Sequence, residues 1–236
     1  MDRVAGAAAK PARPVNNHRH SLGPIVRLLT GFLRFFFRHL YTTLAPAYDL
    51  IAWTVSMGQW NQWVRTALVP LPAGPVLELG HGTGHLMRDL AVRGIPAIGL
   101  DRSRQMSRLA HRRLSAGGAP IRLVRADAQA LPFPDQHFHS AISTFPPEFA
   151  LDPLSLCEAK RVLAPGAGLL IVVQAQITGK SLPDRLAAWL FGVTGQYAEL
   201  RPEWTGPISR AGFLVEHRDL RLPRARVVRI WAERPT

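Results

Sequence analysis

From residue 75 onward, short apolar runs alternate with segments whose apolar positions recur at helical spacing. Such alternation predicts a mostly parallel sheet covered by helices on both faces. Strands are expected over residues 76–79, 97–100, 121–124, 139–143, 169–173, 213–219 and 226–232. Residues 88–92, 105–114 and 154–162 fall within intervening helices, and Gly166-Ala167-Gly168 turns the chain into the fifth strand. Only residues 220–225, with a proline at 223, separate the last two strands. A parallel crossover needs a dozen residues or more, so this pair is expected as an antiparallel hairpin. The fold class is therefore α/β, with seven strands, mostly parallel, and an antiparallel C-terminal end.

Upstream the pattern changes twice. Residues 1–20 are polar, rich in Ala and Pro, and lack any apolar period, which predicts a disordered tail. They hold no apolar core followed by a small-residue cleavage site, so they do not read as a signal peptide. From Pro24 to Leu40, Arg27, Thr30, Gly31, Arg34 and Arg38 fall on one helical face, and most of the rest is Ile, Val, Leu and Phe. This segment is too short and too charged to span a bilayer. Two readings suit its wide apolar arc and Arg stripe: a helix lying in a membrane surface, or one packed on its own domain or on a second subunit in a homodimer. Residues 42–70 carry Tyr48-Asp49 and Trp53, Trp60 and Trp63, with Trp60 and Trp63 spaced to share a helical face. Helical cover over a site is expected there. The chain thus divides into a tail (1–20), N-terminal amphipathic and cover helices (21–70) and one α/β domain (71–236).

Composition adds one strong feature. The 236 residues carry 29 Lys plus Arg against 16 Asp plus Glu, a net charge of +13. Such a balance suits an anionic partner, whether nucleic acid, a phospholipid surface or an acidic substrate. All but three of these cations are Arg, and Ala, Gly and Pro are abundant, so compositional bias explains the charge equally well. The single cysteine, Cys157, excludes an intrachain disulfide and fits a reducing, cytoplasmic compartment. Within its helical segment it reads as a small buried side chain rather than a catalytic thiol.

The candidate chemistry lies where the first strand ends. Val76-Leu77-Glu78-Leu79 runs into Gly80-His81-Gly82-Thr83-Gly84 and then into a helical stretch. A glycine turn between a parallel strand and a helix lets backbone approach a ligand closely. The spacing G-x-G-x-G departs from the dinucleotide fingerprint G-x-G-x-x-G. Glu78 would repel a pyrophosphate and suits instead a ligand bearing an ammonium and a sulfonium. The second strand ends in Asp101, followed by Arg102, and the third leads to Asp127-Ala128. Asp101 can accept hydrogen bonds from both hydroxyls of a ribose. Asp127 can accept from an adenine amino group, and the Ala128 N–H can donate to a ring nitrogen. Carboxylates at three successive strand ends mark one ligand-binding edge.

Together with Leu131-Pro132-Phe133-Pro134-Asp135-Gln136-His137-Phe138 and the run Glu158 to Gly166, whose pattern is E-x-x-R-V-L-x-P-G, these residues carry a resemblance. Over roughly residues 45–235 the chain resembles the class I S-adenosylmethionine-dependent methyltransferases. Within them it is similar to the ubiquinone/menaquinone-biosynthesis branch. It departs from the pattern at His139 and Ala167, and no Asn follows Tyr48-Asp49 in Leu50-Ile51-Ala52-Trp53. The resemblance implies a Rossmann-like fold and S-adenosylmethionine as cofactor. It implies that Gly80, Gly82 and Gly84 admit the methionine part, that Asp101 holds the ribose, that Asp127 and Ala128 read the adenine, and that Glu78, Thr83 and Arg102 belong to the same cofactor site. Ser143 and Thr144 would line the reacting side. No metal ligands are assigned.

A sulfonium methyl is already activated, so alignment and exclusion of water can supply much of the acceleration. His81, His85 and Glu148 are the candidate bases for an acceptor that must lose a proton, and none is assigned a catalytic role. Thr144-Phe145-Pro146-Pro147-Glu148-Phe149 is half of the motif of amino-methylating enzymes, because Phe145 cannot accept a hydrogen bond from an amine. Residues 176–206, with Trp189, Phe191, Tyr197 and Trp204, are expected to give an apolar lid and acceptor pocket. The expected function is methyl transfer to a lipophilic small molecule or lipid, at a membrane surface reached through Pro24 to Leu40. The alternatives are an RNA or protein methyltransferase and a non-catalytic protein that binds S-adenosylmethionine. Nucleic acid is the less favoured partner, because no separate binding module accompanies the scattered Arg residues.

Overall fold

A computed structural model describes residues 48–68, 71–146, 148–193 and 202–236. The expected tail over 1–20 and the expected surface helix from Pro24 to Leu40 lie outside the described residues. Two short helices, α1 (Tyr48–Val55) and α2 (Trp60–Arg65), precede the sheet. Then follow β1 (Val76–Leu79), α3 (His85–Val92), β2 (Ala97–Leu100), α4 (Arg104–Ala116), β3 (Leu123–Val124), β4 (Phe138–Thr144), a 3-10 turn (Glu148–Leu151), α5 (Pro153–Val162) and β5 (Leu163–Ile177). The chain ends with α6 (Leu182–Val193), α7 (Pro202–Arg210), β6 (Leu214–His217), β7 (Leu220–Leu222) and β8 (Ala225–Glu233).

The strands form one sheet in the order β3-β2-β1-β4-β5-β8-β6, with β7 also paired to β8. Strands β1 to β5 are mutually parallel, whereas β8 runs antiparallel to β5, β6 and β7. Alternation of side chains across each strand explains why both faces are covered. Leu77, Leu79, Leu169 and Ile171 enter one apolar layer with Leu156 and Ala159 of α5 and Ile208 of α7. Their neighbours Val76, Leu170 and Val172 enter the other, with Leu86 and Leu90 of α3, Trp63 and Val64 of α2 and Ala187 of α6.

The expected hairpin is present, and its ladder reaches further than expected. Leu222 pairs with Ala225, so Pro223 and Arg224 alone make the turn, and an additional short strand, β7, lies in the expected connection over 220–225. The third strand is shorter than expected, two residues rather than four. Cys157 is exposed rather than buried, a correction to its expected place. Helix α5 turns Leu156 and Ala159 inward and so leaves the intervening position facing out.

No helix connects β3 to β4. The loop that does so is held by the run from Glu158 to Arg161. Arg161 donates to both Glu158 oxygens, at 2.7 and 2.8 Å, to the carbonyls of Leu131 and Phe133, and to Asp135 at 2.7 Å. Leu131 N–H in turn donates to Glu158 at 2.7 Å. The two sequence motifs thus form one interlocked clasp. The hydrogen bonds from Arg161 hold the Glu158 carboxyl below its usual range.

Candidate functional site

Register sets the site. Leu79 pairs with Leu100, and Leu100 with Val124, so the C-terminal ends of β1, β2 and β3 are level. Asp101 and Asp127 therefore reach the same edge as the glycine turn. Asp101 accepts from Gly82 N–H at 2.9 Å and from Ser103 N–H at 2.8 Å, tying that turn to the start of α4. Asp127 accepts from Gln129 N–H at 3.1 Å, and its other oxygen lies 3.5 Å from the exposed Arg102 guanidinium. Ala128 is buried beside it.

The three glycines are needed for different reasons. All have positive φ, which L side chains rarely adopt. At Gly82 a Cβ would meet nothing within 4 Å, so the backbone there stands open. At Gly80 it would lie 3.1 Å from the Phe149 ring. At Gly84 it would lie 2.8 Å from the Cβ of Ala110, so this glycine brings the start of α3 against α4. Ser143 has a packing role too. It is buried, and its hydroxyl donates to the Leu79 carbonyl at 2.8 Å, bracing β4 against β1.

Glu78 is the electrostatic centre of the turn. It is 1% exposed, and its Oε2 has no hydrogen-bond partner. Burial, and then the charge of Asp101, push its carboxyl well above the usual range. His81 is buried as well, with Nδ1–H donating to the Gly82 carbonyl at 2.9 Å and Nε2 unpartnered. Burial lowers its pKa, which keeps the ring neutral and Nε2 an acceptor. Three of the five buried, unpartnered side-chain polar atoms among the described residues belong to Glu78, His81 and His85. Unmatched acceptors in a glycine turn fit a ligand that brings positively charged donors.

A constellation that sequence spacing did not reveal clamps the cover helix to this turn. Asp49 of α1 accepts from Thr83 Oγ1 at 2.9 Å, from His85 Nε2 at 3.1 Å and from Arg113 of α4. Arg113 also donates to the Thr83 carbonyl. Burial works to raise the Asp49 pKa. The bonds from His85, Arg113 and Thr83 prevail and hold it well below the usual range. Aromatic rings close the same side, where Phe145 lies 4.6 Å from Trp60, and Trp60 is 6.2 Å from Tyr48 and 6.3 Å from Trp63. The side chain of Glu148, one expected candidate base, lies outside what the structure describes.

Replacing Asp49 with Asn removes a charge from this clamp. The expected cost is about 1 kcal/mol, the lower end for bonds to a charged group that is partly exposed. A depressed folded-state pKa stabilises above the unfolded value, so the difference between wild type and Asp49→Asn shrinks as pH falls below about 4. Urea unfolding at neutral pH and at pH values below that point measures both effects.

Known proteins similar to this chain are methyltransferases. Residues 76–166 match the methyltransferase-domain family. The chain is 37% identical over 139 residues to a demethylmenaquinone methyltransferase of Thermus thermophilus, covering 56% of this chain and 63% of that protein. It is 29% identical over 209 residues to a ubiquinone/menaquinone biosynthesis C-methyltransferase of Syntrophotalea carbinolica, covering 78% and 88%. The chain spans less than two thirds of the length of the first demethylmenaquinone methyltransferases it matches. Its fold is similar to that of Haemonchus contortus phosphoethanolamine N-methyltransferase 2 in complex with S-adenosyl-L-methionine. There the TM-score is 0.56 at 15% identity, covering 84% of this chain and 60% of that one. Residues 76–166 thus match a methyltransferase domain, and the chain shares the fold of a methyltransferase solved with S-adenosyl-L-methionine. Its sequence relatives are named for the ubiquinone/menaquinone-biosynthesis branch.

Proposed function

We propose that the protein transfers a methyl group from S-adenosylmethionine to a lipophilic small molecule or lipid. The observation that carries this reading is Glu78: a fully buried carboxyl with an unmatched oxygen, at a glycine turn beside Asp101. In this reading the amino acid part of the cofactor brings an ammonium to Glu78 and lies over the open backbone at Gly82. Asp101 and Asp127 take the ribose and the adenine. When bound, the cofactor supplies an electrophilic methyl on a sulfonium. The protein then orients the acceptor and keeps water out, through the Trp60–Phe145 pair and the helices beside it. Gly84, Thr83 and Ser143 act on this site by holding the turn in shape. The relatives named for quinone biosynthesis favour an apolar ring as acceptor. Such an acceptor resides in a bilayer, consistent with the segment from Pro24 to Leu40 meeting a membrane surface.

The test has two stages. Calorimetry is expected to show binding of S-adenosylmethionine and of its demethylated product, and none of NAD. The enzyme is then incubated with radiolabelled methyl donor and a total cell extract, and lipid, RNA and protein fractions are separated. Label in the lipid fraction is the expected outcome. Label confined to RNA or to protein overturns the choice of acceptor, and binding with no label in any fraction leaves a binding protein without turnover.

A further inference from the structure

Helix α6 turns one face to the sheet and another to solvent. Ala187 is buried in the core, and Asp184 is enclosed, accepting from Ser181 Oγ at 2.6 Å and from Arg224 at 2.5 Å. On the opposite side Leu182, Leu186 and Trp189 stand at i, i+4 and i+7, and they are 79%, 58% and 62% exposed. Residues so spaced form one continuous ridge. Charge around the ridge has one sign. Lys180 and Arg185 are exposed and form no ion pair among the described residues. The carboxylate on the helix itself, Asp184, is already answered by Arg224.

We propose that the outer face of α6 docks on an anionic lipid surface, with Leu182, Leu186 and Trp189 entering the interface and Lys180 and Arg185 meeting headgroup phosphates. The pairing of a Trp with Leu on a cation-rimmed ridge matches the chemistry of that boundary, where an indole has one apolar face and one polar edge. Basic groups close to such a surface are attracted over about a Debye length. A second copy of the chain is a poorer occupant. One Trp and two Leu offer roughly a few hundred Å², against about 800 Å² per partner in a stable interface. Two such faces also bring like charges together without a free carboxylate to answer them. The proposal rests on the proposed function for its purpose, delivery of a lipophilic acceptor to the site. Its test stands apart from methyl transfer.

The experiment compares the full chain with Leu186→Ser/Trp189→Ser and with Lys180→Glu/Arg185→Glu. Each protein is sedimented with vesicles of phosphatidylcholine alone and of phosphatidylcholine mixed with phosphatidylglycerol. The wild type is expected to bind the anionic vesicles preferentially and to be released by salt. Each double variant is expected to lose about tenfold or more in partitioning, while circular dichroism shows an intact fold. Brominated lipid should quench part of the tryptophan emission, and Trp189→Phe should remove that part. Equal partitioning by wild type and both variants overturns the proposal, as does absence of binding by the wild type. So does a dimer in solution that both variants dissociate, since a second copy then covers the face. Calorimetry with S-adenosylhomocysteine on the same samples keeps the two readings distinct. Cofactor binding without vesicle binding removes only the docking face, and vesicle binding without cofactor binding removes only the methyltransferase reading.

Discussion

Replacing Asp101 with Ala is expected to weaken binding of S-adenosylmethionine and S-adenosylhomocysteine by about 1.5–3 kcal/mol, the scale for hydrogen bonds to a charged group. At about 1.4 kcal/mol per decade this is roughly ten- to over a hundredfold in Kd. Two effects add in the same direction. Under the proposed function the ribose hydroxyls lose their acceptor, and the glycine turn loses the bond from Gly82 N–H to Asp101 Oδ2. Asp101→Asn separates them, because an amide oxygen can still accept from Gly82 while the charge is gone. The Asn variant should retain part of the affinity and nearly all of the thermal stability. Calorimetry with both ligands and a thermal melt of the unliganded proteins measure the two contributions. Unchanged affinity in Asp101→Ala would mean that the ligand lies elsewhere.

Glu78→Gln is expected to move stability and affinity in opposite directions. In the folded protein the Glu78 carboxyl is held above its ordinary range by burial and by Asp101. A raised folded-state pKa favours the fold below the unfolded value, about 4.3, and that advantage is lost as pH climbs toward the folded value. At neutral pH the unliganded protein therefore carries the cost of an ionisable group in an apolar strand end. Gln removes that cost while keeping the shape, so the melting temperature at neutral pH should rise and its fall with pH above about 4.5 should flatten. Affinity for S-adenosylhomocysteine, which keeps the ammonium, should fall by about 1.5–3 kcal/mol. Wild-type binding should also release protons, giving a calorimetric heat that varies with the ionisation enthalpy of the buffer. A variant that binds as tightly as wild type, with no such release in the wild type, would remove Glu78 from the site. The opposed effects are what a binding residue held in reserve for a cation produces. A residue serving only the fold would lose stability when changed.

Several features were legible in the order of residues alone, because they depend on local pattern. Alternating apolar runs and helical segments specify a parallel α/β sheet, and six residues between the last two strands force an antiparallel ending. The glycine turn and the strand-end acids at Asp101 and Asp127 were likewise readable, since strand ends in a parallel sheet meet at one edge whatever the detailed packing. Glu78 declared itself by placing a charge inside an apolar strand.

What the tertiary structure decided concerns contacts between residues far apart in sequence. Asp49 lies 34 residues from Thr83 and 64 from Arg113, so no spacing could announce the clamp they form. Gly84 looked like its two neighbours until α4 was seen to place Ala110 against it. Ser143 stands near the end of β4, and only the pairing of β4 with β1 brings its hydroxyl to the Leu79 carbonyl. The motifs around Leu131 and Glu158 were visible separately, but only folding joins them through Arg161 into a clasp that replaces a helix. The exposed ridge of α6 is the same kind of result. Apolar periodicity cannot tell a buried face from an open one, because burial depends on what the rest of the chain brings to it.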